Sequence, residues 1–246
     1  MIYFVSDFHL GSPNYSHSRQ REIAICAWLD SIKSKAKTIY FLGDTFDFWF
    51  EYKSVIPKGF VRFLGKLAEL HDLGIELNMF VGNHDLWIAD YLTEECGVTV
   101  FRNPQTISVG NNRIHIHHGD GLGPGDKKYK FLKKVFTNGI AQYVFKWIHP
   151  DIGVSLATYF SRKSRSAEQP SDRIFKGIEN EYLVQYAEAV LQQEAVDFFI
   201  FGHRHLALDI TLSNGVSRYI NLGEWFVGRR YVEVENNELR ILEFVG

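Results

Sequence analysis

The chain has 246 residues, of which 46% are hydrophobic, and its formal net charge is -2 at pH 7. That length suffices to bury a full hydrophobic core, and the near-neutral charge argues against a nucleic-acid-binding protein, which usually has a basic excess. The two cysteines, Cys26 and Cys96, have no C-x-x-C spacing, which argues against a disulfide framework and a thiolate zinc site.

The amino terminus and the hydropathy pattern predict a cytoplasmic protein. Residues 1–5 lack the basic region and the longer apolar region of a secretory signal. No stretch approaches the roughly 20 apolar residues that span a bilayer. We therefore expect a reduced, cytoplasmic setting, in which any contact with a membrane is made from its surface.

The first part of the chain alternates short apolar strands with segments of helical periodicity. Strands are predicted over 2–5, 38–42 and 77–81, and helices over 22–34 and 60–73. This alternation indicates βαβ units and a largely parallel sheet.

Strand signals of a second kind follow. Segments 106–109 and 113–117 flank the turn-forming Gly110-Asn111-Asn112, and further strands are predicted over 208–211, 218–222 and 230–234. The predicted fold class is therefore α/β, with two sheets packed face to face as a sandwich and flanked by helices.

Residues 126–166 interrupt the alternation with helical runs. Apolar positions recur there at helical spacing, and lysines such as Lys127, Lys130 and Lys133 lie between them. We interpret this segment as a helical cap inserted into a single domain that spans residues 1–246.

Five short motifs combine carboxylate, amide or imidazole side chains with a strand end, and four of them also contain a glycine. Because loops at the carboxyl ends of strands in an α/β sheet converge, the five could reach one point. The motifs are Asp7-Phe8-His9, Gly43-Asp44-Thr45-Phe46-Asp47, Gly82-Asn83-His84-Asp85, His118-Gly119-Asp120 and Gly202-His203-Arg204-His205.

This mixture of ligand types indicates a centre for two divalent metal ions. Carboxylate, amide oxygen and imidazole suit Mn²⁺, Fe²⁺ or Zn²⁺, of which Mn²⁺ is our first choice. Taken singly, each motif is better explained by a turn carboxylate, a left-handed asparagine or a buried histidine. The combination favours metal, because five of the ten histidines fall within these motifs.

The ordered set resembles the calcineurin-like metallophosphoesterases from Asp7 to His205. The resemblance implies that Asp44 bridges two metal ions. It also implies two ligand sets, one formed by Asp7, His9, Asp44 and His205 and the other by Asp44, Asn83, His118 and His203. In that family His84 would donate a hydrogen bond or a proton to the phosphoryl or leaving oxygen, with Asp85 as its orienting carboxylate. Asp47 and Asp120 would contact the ligand side chains, not the metal ions, and hold them in position.

Within that superfamily the chain is similar to the diphosphatases of lipid A biosynthesis that cleave UDP-2,3-diacylglucosamine to UMP and 2,3-diacylglucosamine 1-phosphate. The similarity rests on the length, the predicted cap and Leu222-Gly-Glu-Trp225. It implies substrate contacts by Asn83, His84, Asp126 and Tyr129. One departure is His84, where many of those enzymes carry arginine.

The resemblance also implies partners and a location. The expected partner is the lipid-linked nucleotide substrate, met peripherally at the cytoplasmic face of the inner membrane, with no nucleic acid and no obligate protein partner. One alternative is a metallophosphoesterase for a soluble phosphodiester, nucleotide or phosphoprotein, for which a long apolar wall is unnecessary. Another is a non-catalytic scaffold, against which the complete ligand set argues.

Overall fold

The computed structural model describes residues 1–125, 127–167, 174–175 and 177–246. Two sheets form its centre. The first has the strand order β11-β10-β1-β2-β3-β4 and the second β5-β6-β7-β9-β8. The two-sheet α/β prediction is confirmed.

The first sheet combines a parallel part with an antiparallel edge. Strands β1 to β4 pair in parallel, and β10 and β11 extend the sheet antiparallel beyond β1. Their bounds are β1 (Ile2–Val5), β2 (Thr38–Phe41), β3 (Glu76–Phe80), β4 (Val98–Phe101), β10 (Arg230–Glu235) and β11 (Glu238–Glu243).

The second sheet is mixed in the same way. Strand β7 pairs in parallel with β6 and with β9, whereas the edge strands β5 and β8 pair antiparallel with their neighbours. The bounds are β5 (Gln105–Val109), β6 (Asn112–Ile116), β7 (Phe198–Phe201), β8 (Ala207–Thr211) and β9 (Arg218–Leu222).

Three apolar clusters define the layers. Phe4 and Val232 of the first sheet pack with Ile116 and Ile200 of the second, which places one cluster between the sheets. A second cluster joins the outer face of the first sheet to the helices α1 (Tyr15–Ile32), α2 (Val61–Asp72) and α3 (Tyr91–Cys96). A third joins the second sheet to α7 (Tyr182–Leu191), which follows a short 3₁₀ turn, Ile178–Asn180.

Three helices occupy the segment predicted as a cap: α4 (Lys127–Phe136), α5 (Gly139–Lys146) and α6 (Pro150–Ala167). An aromatic cluster attaches them to the sandwich. The ring of Phe145 lies 4.6 Å from that of Phe50 and 4.7 Å from that of Trp87, between ring centroids. The indole N–H of Trp87 also donates to the carbonyl oxygen of Phe136 at 2.6 Å.

Within the described ranges, no helix has both the length and the apolar character that crossing a bilayer would require. The helices that carry the most exposed apolar side chains are instead those of the cap, where Ile140 and Trp147 are 75% and 77% exposed.

Candidate metal centre and active site

Five loops at the carboxyl ends of strands bring the predicted ligands together. The loops that follow β1, β2 and β3 carry Asp7 with His9, Asp44 and Asn83, and these strands are neighbours in the first sheet. The loops after β6 and β7, which pair in the second sheet, carry His118 and the pair His203 and His205. One end of the sandwich therefore collects all five motifs.

The backbone at these loops is unusual. The five residues Asp7, His9, Asp44, His203 and His205 have φ between 44° and 69°. Residues with a Cβ rarely adopt this left-handed conformation, and such strain persists only where the surroundings enforce it. The loops after β1 and β2 also hold each other in place, because the N–H of Asp7 donates to the carbonyl oxygen of Gly43 at 3.1 Å.

Two glycines allow the ligands to approach this closely. A Cβ at Gly43 would lie 2.7 Å from the ring of His118. At Gly82 it would collide with the carboxylate of Asp44. Any larger residue would push a ligand out of the site, which is the reason for glycine at both positions.

The first ligand cluster consists of Asp7, His9, Asp44 and His205, whose donor atoms lie within 4.8 Å of one another. The Nε2 atoms of His9 and His205 are 3.0 Å apart. Both face Oδ1 of Asp7, at 3.6 Å from His9 and 3.2 Å from His205. Two ring nitrogens directed at one carboxylate form an arrangement that a shared cation would stabilise.

The second cluster shares Asp44 with the first. Donor atoms of Asp44, His118 and His203 lie within 4.8 Å of one another. Nε2 of His118 is 3.3 Å from Oδ2 of Asp44 and 3.2 Å from the amide oxygen of Asn83. The geometry thus brings together the two predicted ligand sets, with Asp44 between them.

Polar contacts of Nδ1 fix the ring orientation of two of the candidate ligands. Nδ1 of His118 donates to the carbonyl oxygen of Leu42 at 2.8 Å, which leaves Nε2 as the free lone pair. Nδ1 of His205 lies 3.3 Å from the carboxylate of Glu224, so the same tautomer is favoured there. The orienting role of Glu224 was not predicted, although its segment was noted in the resemblance.

Buried charges set the pKa values of the second cluster. Burial alone would raise the pKa of Asp44, yet the nearby imidazoles of His118 and His84 hold it well below its ordinary value. Burial opposes charge on His118, but Asp44 raises the pKa of its ring to about 10. Burial and the neighbouring His118 lower the pKa of His203 to about 4. Without a metal, a proton on His118 therefore balances the buried carboxylate.

His84 lies against the first cluster, with its ring centroid 5.0 Å from that of His9. Its Nδ1 is 3.2 Å from the carbonyl oxygen of Asp47 and 3.0 Å from the hydroxyl of Ser161, which belongs to α6. Burial lowers the pKa of the His84 ring to about 4. Ser161 was not predicted, because no motif distinguishes one serine in a helical run.

The predicted pairing of Asp85 with the His84 ring is wrong. One carboxylate oxygen of Asp85 accepts hydrogen bonds from the N–H groups of Thr45 and Phe46 at 2.8 and 3.2 Å, and the other accepts from Gly82 at 2.7 Å. Asp85 therefore joins the loop after β3 to the loop after β2. The carboxylate nearest Nδ1 of His84 is that of Asp47, at 3.7 Å.

The residues predicted to contact substrate from the cap have different outcomes. The hydroxyl of Tyr129 donates to the buried carboxylate of Asp120 at 2.5 Å, and the ammonium group of Lys133 donates to the same oxygen at 2.6 Å. These contacts tie α4 to the His-Gly-Asp motif. Asp126 lies outside the described residues.

Arg21 is a further residue that sequence reasoning missed. Its buried guanidinium donates to the backbone carbonyl oxygens of Phe8, His9 and Ser12 at 2.5, 2.7 and 2.6 Å. It also lies 4.0 Å from the ring centroid of Phe226. Arg21 therefore holds the left-handed loop that carries Asp7 and His9. An arginine on a helix gives no signal of this in the sequence.

The donor chemistry fits a pair of divalent ions. Carboxylates, an amide oxygen and imidazoles with Nε2 directed inward are the groups that borderline metals such as Mn²⁺, Fe²⁺ and Zn²⁺ accept. No thiolate lies in either cluster. The residues therefore fit a dinuclear centre in which Asp44 faces both positions.

Comparison with known proteins gives a family and several relatives. The family described as calcineurin-like phosphoesterase matches residues 1–207. UDP-2,3-diacylglucosamine hydrolase of Porphyromonas gingivalis is 41% identical over 236 residues, 91% of this chain and 90% of the relative. The protein of the same name from Pseudomonas putida is 27% identical and covers 92% of this chain and 91% of its own.

Solved structures give a more distant likeness. The phosphoesterase Yfce from E. coli is 14% identical, with 97% of this chain and 90% of that chain covered and a TM-score of 0.46. That value is too low to bear on the activity. The family match over residues 1–207 and the 41% identity show that the chain belongs to the calcineurin-like phosphoesterase family and is a metal-dependent hydrolase.

Proposed function

We propose that the chain hydrolyses the pyrophosphate bond of UDP-2,3-diacylglucosamine, with UMP and 2,3-diacylglucosamine 1-phosphate as products. The names of the similar proteins support this substrate. The observation that carries the proposal is the helical cap, because its exposed apolar side chains belong to helices that also contact the metal centre through Ser161.

The two ligand clusters would hold the metals. Asp7, His9, Asp44 and His205 would bind one ion, and Asp44, Asn83, His118 and His203 the other, with Mn²⁺ as our first choice for both. Bound divalent ions would polarise the phosphoryl group and lower the pKa of a bound water. The contribution of Leu42 and Glu224 is to keep Nε2 of His118 and His205 directed at the ions.

His84 would act on the substrate. Its Nδ1 is fixed by Asp47 and Ser161, so that Nε2 is left for the phosphoryl or leaving oxygen. An anionic phosphoryl group beside the ring would favour its protonated form, because opposite charges stabilise each other. Asn83 would contact the same phosphoryl group from the second cluster. Tyr129 would border the sugar of the substrate.

The cap would hold the acyl chains. Its exposed apolar side chains include Phe131, Leu132, Ile140, Tyr143, Val144, Trp147, Ile152, Tyr159 and Phe160. Each buried CH₂ group of an acyl chain contributes about 0.8 kcal/mol, so partial burial of two chains would dominate substrate selection. A soluble nucleotide or phosphoprotein would leave this surface unused.

The same surface supports a peripheral location at the cytoplasmic face of the inner membrane. Lys127 and Lys134 are exposed on α4 beside the apolar side chains. Basic residues next to an apolar helical face favour anionic lipid surfaces, with about 1 kcal/mol for each lysine near the surface.

The test compares substrates and matched variants. kcat/KM is measured for UDP-2,3-diacylglucosamine and for UDP-N-acetylglucosamine by UMP release, in wild type, Ile140→Ser and Val216→Ser. Ile140 and Val216 are similarly exposed, at 75% and 78%, but only Ile140 belongs to the cap. We expect a strong preference for the diacylated substrate, which Ile140→Ser reduces severalfold and Val216→Ser does not.

Equal efficiency for the two substrates in wild type would overturn the lipid assignment. It would leave a metallophosphoesterase for a soluble phosphodiester, the alternative that the sequence left open. A preference that survives Ile140→Ser and further serine substitutions at Val144 and Trp147 would show that the acyl chains bind elsewhere.

A further inference from the structure

A cavity of about 80 Å³ lies beside the second ligand cluster. It is lined by Gly121, Leu122, Pro124, Tyr182 and His203. His203 belongs to the cluster formed with Asp44 and His118, so the cavity opens directly next to the metal centre. The motifs and the resemblance assign no role to Leu122, Pro124 or Tyr182.

The cavity and helix α6 of the cap contact different sides of the centre. Helix α4 borders the segment that lines the cavity, because the ammonium group of Lys130 donates to the carbonyl oxygen of Gly123 at 2.5 Å. His203 lies against His118, with ring centroids 5.1 Å apart. His84, which Ser161 of α6 contacts, lies against His9 instead. A substrate with a phosphate at the metals and acyl chains beside α6 would therefore extend its other end toward His203.

The size of the cavity limits what it can hold. A single buried water needs roughly 10–15 Å³ by the same measure, so the space corresponds to about five to eight waters. That is room for one flat heterocycle and is far too small for an acyl chain. A fused purine would require the walls to move.

The walls suit an aromatic ring. Tyr182 supplies a planar side chain, and its ring is braced by the guanidinium of Arg204, 5.7 Å from the ring centroid. Arg204 is itself held by the buried carboxylate of Glu181, with Nε donating at 3.0 and 3.1 Å. Stacking of a base on an aromatic side chain contributes about 1–3 kcal/mol.

We infer that this cavity is the subsite for the pyrimidine base of a nucleotide whose phosphate lies at the metal centre. The inference rests on the proposed function, because it names the leaving UMP as the occupant. Selection of the nucleotide half would then be separate from selection of the acyl chains by the cap.

The experiment measures equilibrium binding of UMP, AMP and inorganic phosphate to the metal-loaded protein by titration calorimetry. Wild type is expected to bind UMP at least tenfold more tightly than phosphate and more tightly than AMP. Tyr182→Ala removes the stacking surface, and Leu122→Trp fills the cavity with a larger side chain. Each is expected to reduce the ratio of UMP to phosphate affinity about tenfold.

Tyr15→Ala is the matched control, because Tyr15 is 77% exposed at the start of α1, and it should retain the wild-type ratio. Leu122→Trp keeps the test informative if Tyr182→Ala does not fold. Wild type that binds UMP no better than phosphate, or folded variants that retain the preference, would overturn the inference. A retained UMP preference without hydrolysis of the lipid substrate would support the subsite and remove the proposed function alone.

Discussion

Asp44 faces both ligand clusters, and its contacts explain why a carboxylate is needed there. Oδ2 lies 3.3 Å from Nε2 of His118 and 3.7 Å from Nε2 of His9. Oδ1 accepts from the N–H of His84 at 2.9 Å. No neutral side chain could balance positive charge on both sides and also hold the loop after β3.

Asp44→Asn keeps the shape of the side chain and removes its charge. We expect metal content to fall below two ions per chain and kcat/KM to fall roughly a hundredfold or more, because removal of even a supporting group costs 10–100-fold. Elemental analysis and circular dichroism give the metal content and the fold. Asp209→Asn is the control, because Asp209 lies on β8 and its carboxylate pairs with Arg218 of β9. Two tightly held ions with near-native turnover would refute the shared role.

His84→Ala separates chemistry from metal binding. His84 borders the first cluster but belongs to neither predicted ligand set, and its ring is held by Asp47 and Ser161. We therefore expect kcat to fall by about 10²–10⁴ while metal content is unchanged. Asp47→Asn should act in the same direction with a smaller effect. The control is His17→Ala, at an exposed position near the start of α1. Loss of a metal ion from His84→Ala would make the ring a ligand instead.

At the scale of elements, the site depends on loops that hold one another. Asp85 joins the loop after β3 to the loop after β2, and Arg21 of α1 holds the loop after β1. Each interaction pairs a buried ionisable side chain with backbone atoms, which satisfies groups that would otherwise be costly to bury. The helices and strands thus fix the candidate metal ligands through Asp85 and Arg21.

Arg21→Met tests this support at one loop. The carbonyl oxygens of Phe8, His9 and Ser12 would lose their donor, so we expect the free energy of unfolding to fall by about 3 kcal/mol or more. Urea denaturation measures the loss. Arg113→Met, at a half-exposed ion pair with Glu194, should stay within about 0.5 kcal/mol of wild type. Equal stability of the two variants would contradict the supporting role of Arg21.

Two elements show where sequence patterns failed. Strand β11 reads Glu-Leu-Arg-Ile-Leu-Glu, and most of these residues favour helix in isolation. Its pairing with β10 through six residue pairs overrides that preference. Helix α1 begins at Tyr15, because the side chain of Asn14 caps it there. The predicted start at 22 was too late, because the first turns carry mostly polar side chains and show no apolar period.

At the scale of the whole molecule, the centre joins the two sheets. Asp7, Asp44 and Asn83 come from the first sheet, and His118, His203 and His205 from the second. Ions held by ligands from both sheets would bind the folded state and not the unfolded chain. Their binding energy would then add to the stability of the sandwich.

Removal of the metals should therefore lower the melting temperature. Treatment with a chelator is expected to remove about 2.7 kcal/mol of stabilisation per site when the free metal had been at 100 times its dissociation constant. Calorimetry with and without chelator measures this, and re-addition of Mn²⁺, Fe²⁺ or Zn²⁺ ranks the metals. An unchanged melting temperature after complete removal would argue against ligands shared between the sheets.

The sequence by itself determined the fold class and the candidate ligands that the structure gathers at one end of the sandwich. Strand and helix periods are local properties of the chain, and a candidate ligand such as Asp7 or His118 is marked by its place at a strand end. The carboxyl ends of parallel strands lie at the same edge of a sheet, so the sequence alone could predict that the five motifs lie close together.

Tertiary structure alone decided which residues contact and orient the side chains of the candidate site. Glu224 meets His205 across 19 positions of sequence, and Ser161 meets His84 across 77. Asp85 faces backbone N–H groups rather than the ring beside it in sequence, which corrected its predicted role. Such partners depend on the packing of loops and helices in three dimensions, and a local pattern of residue types carries no record of that packing.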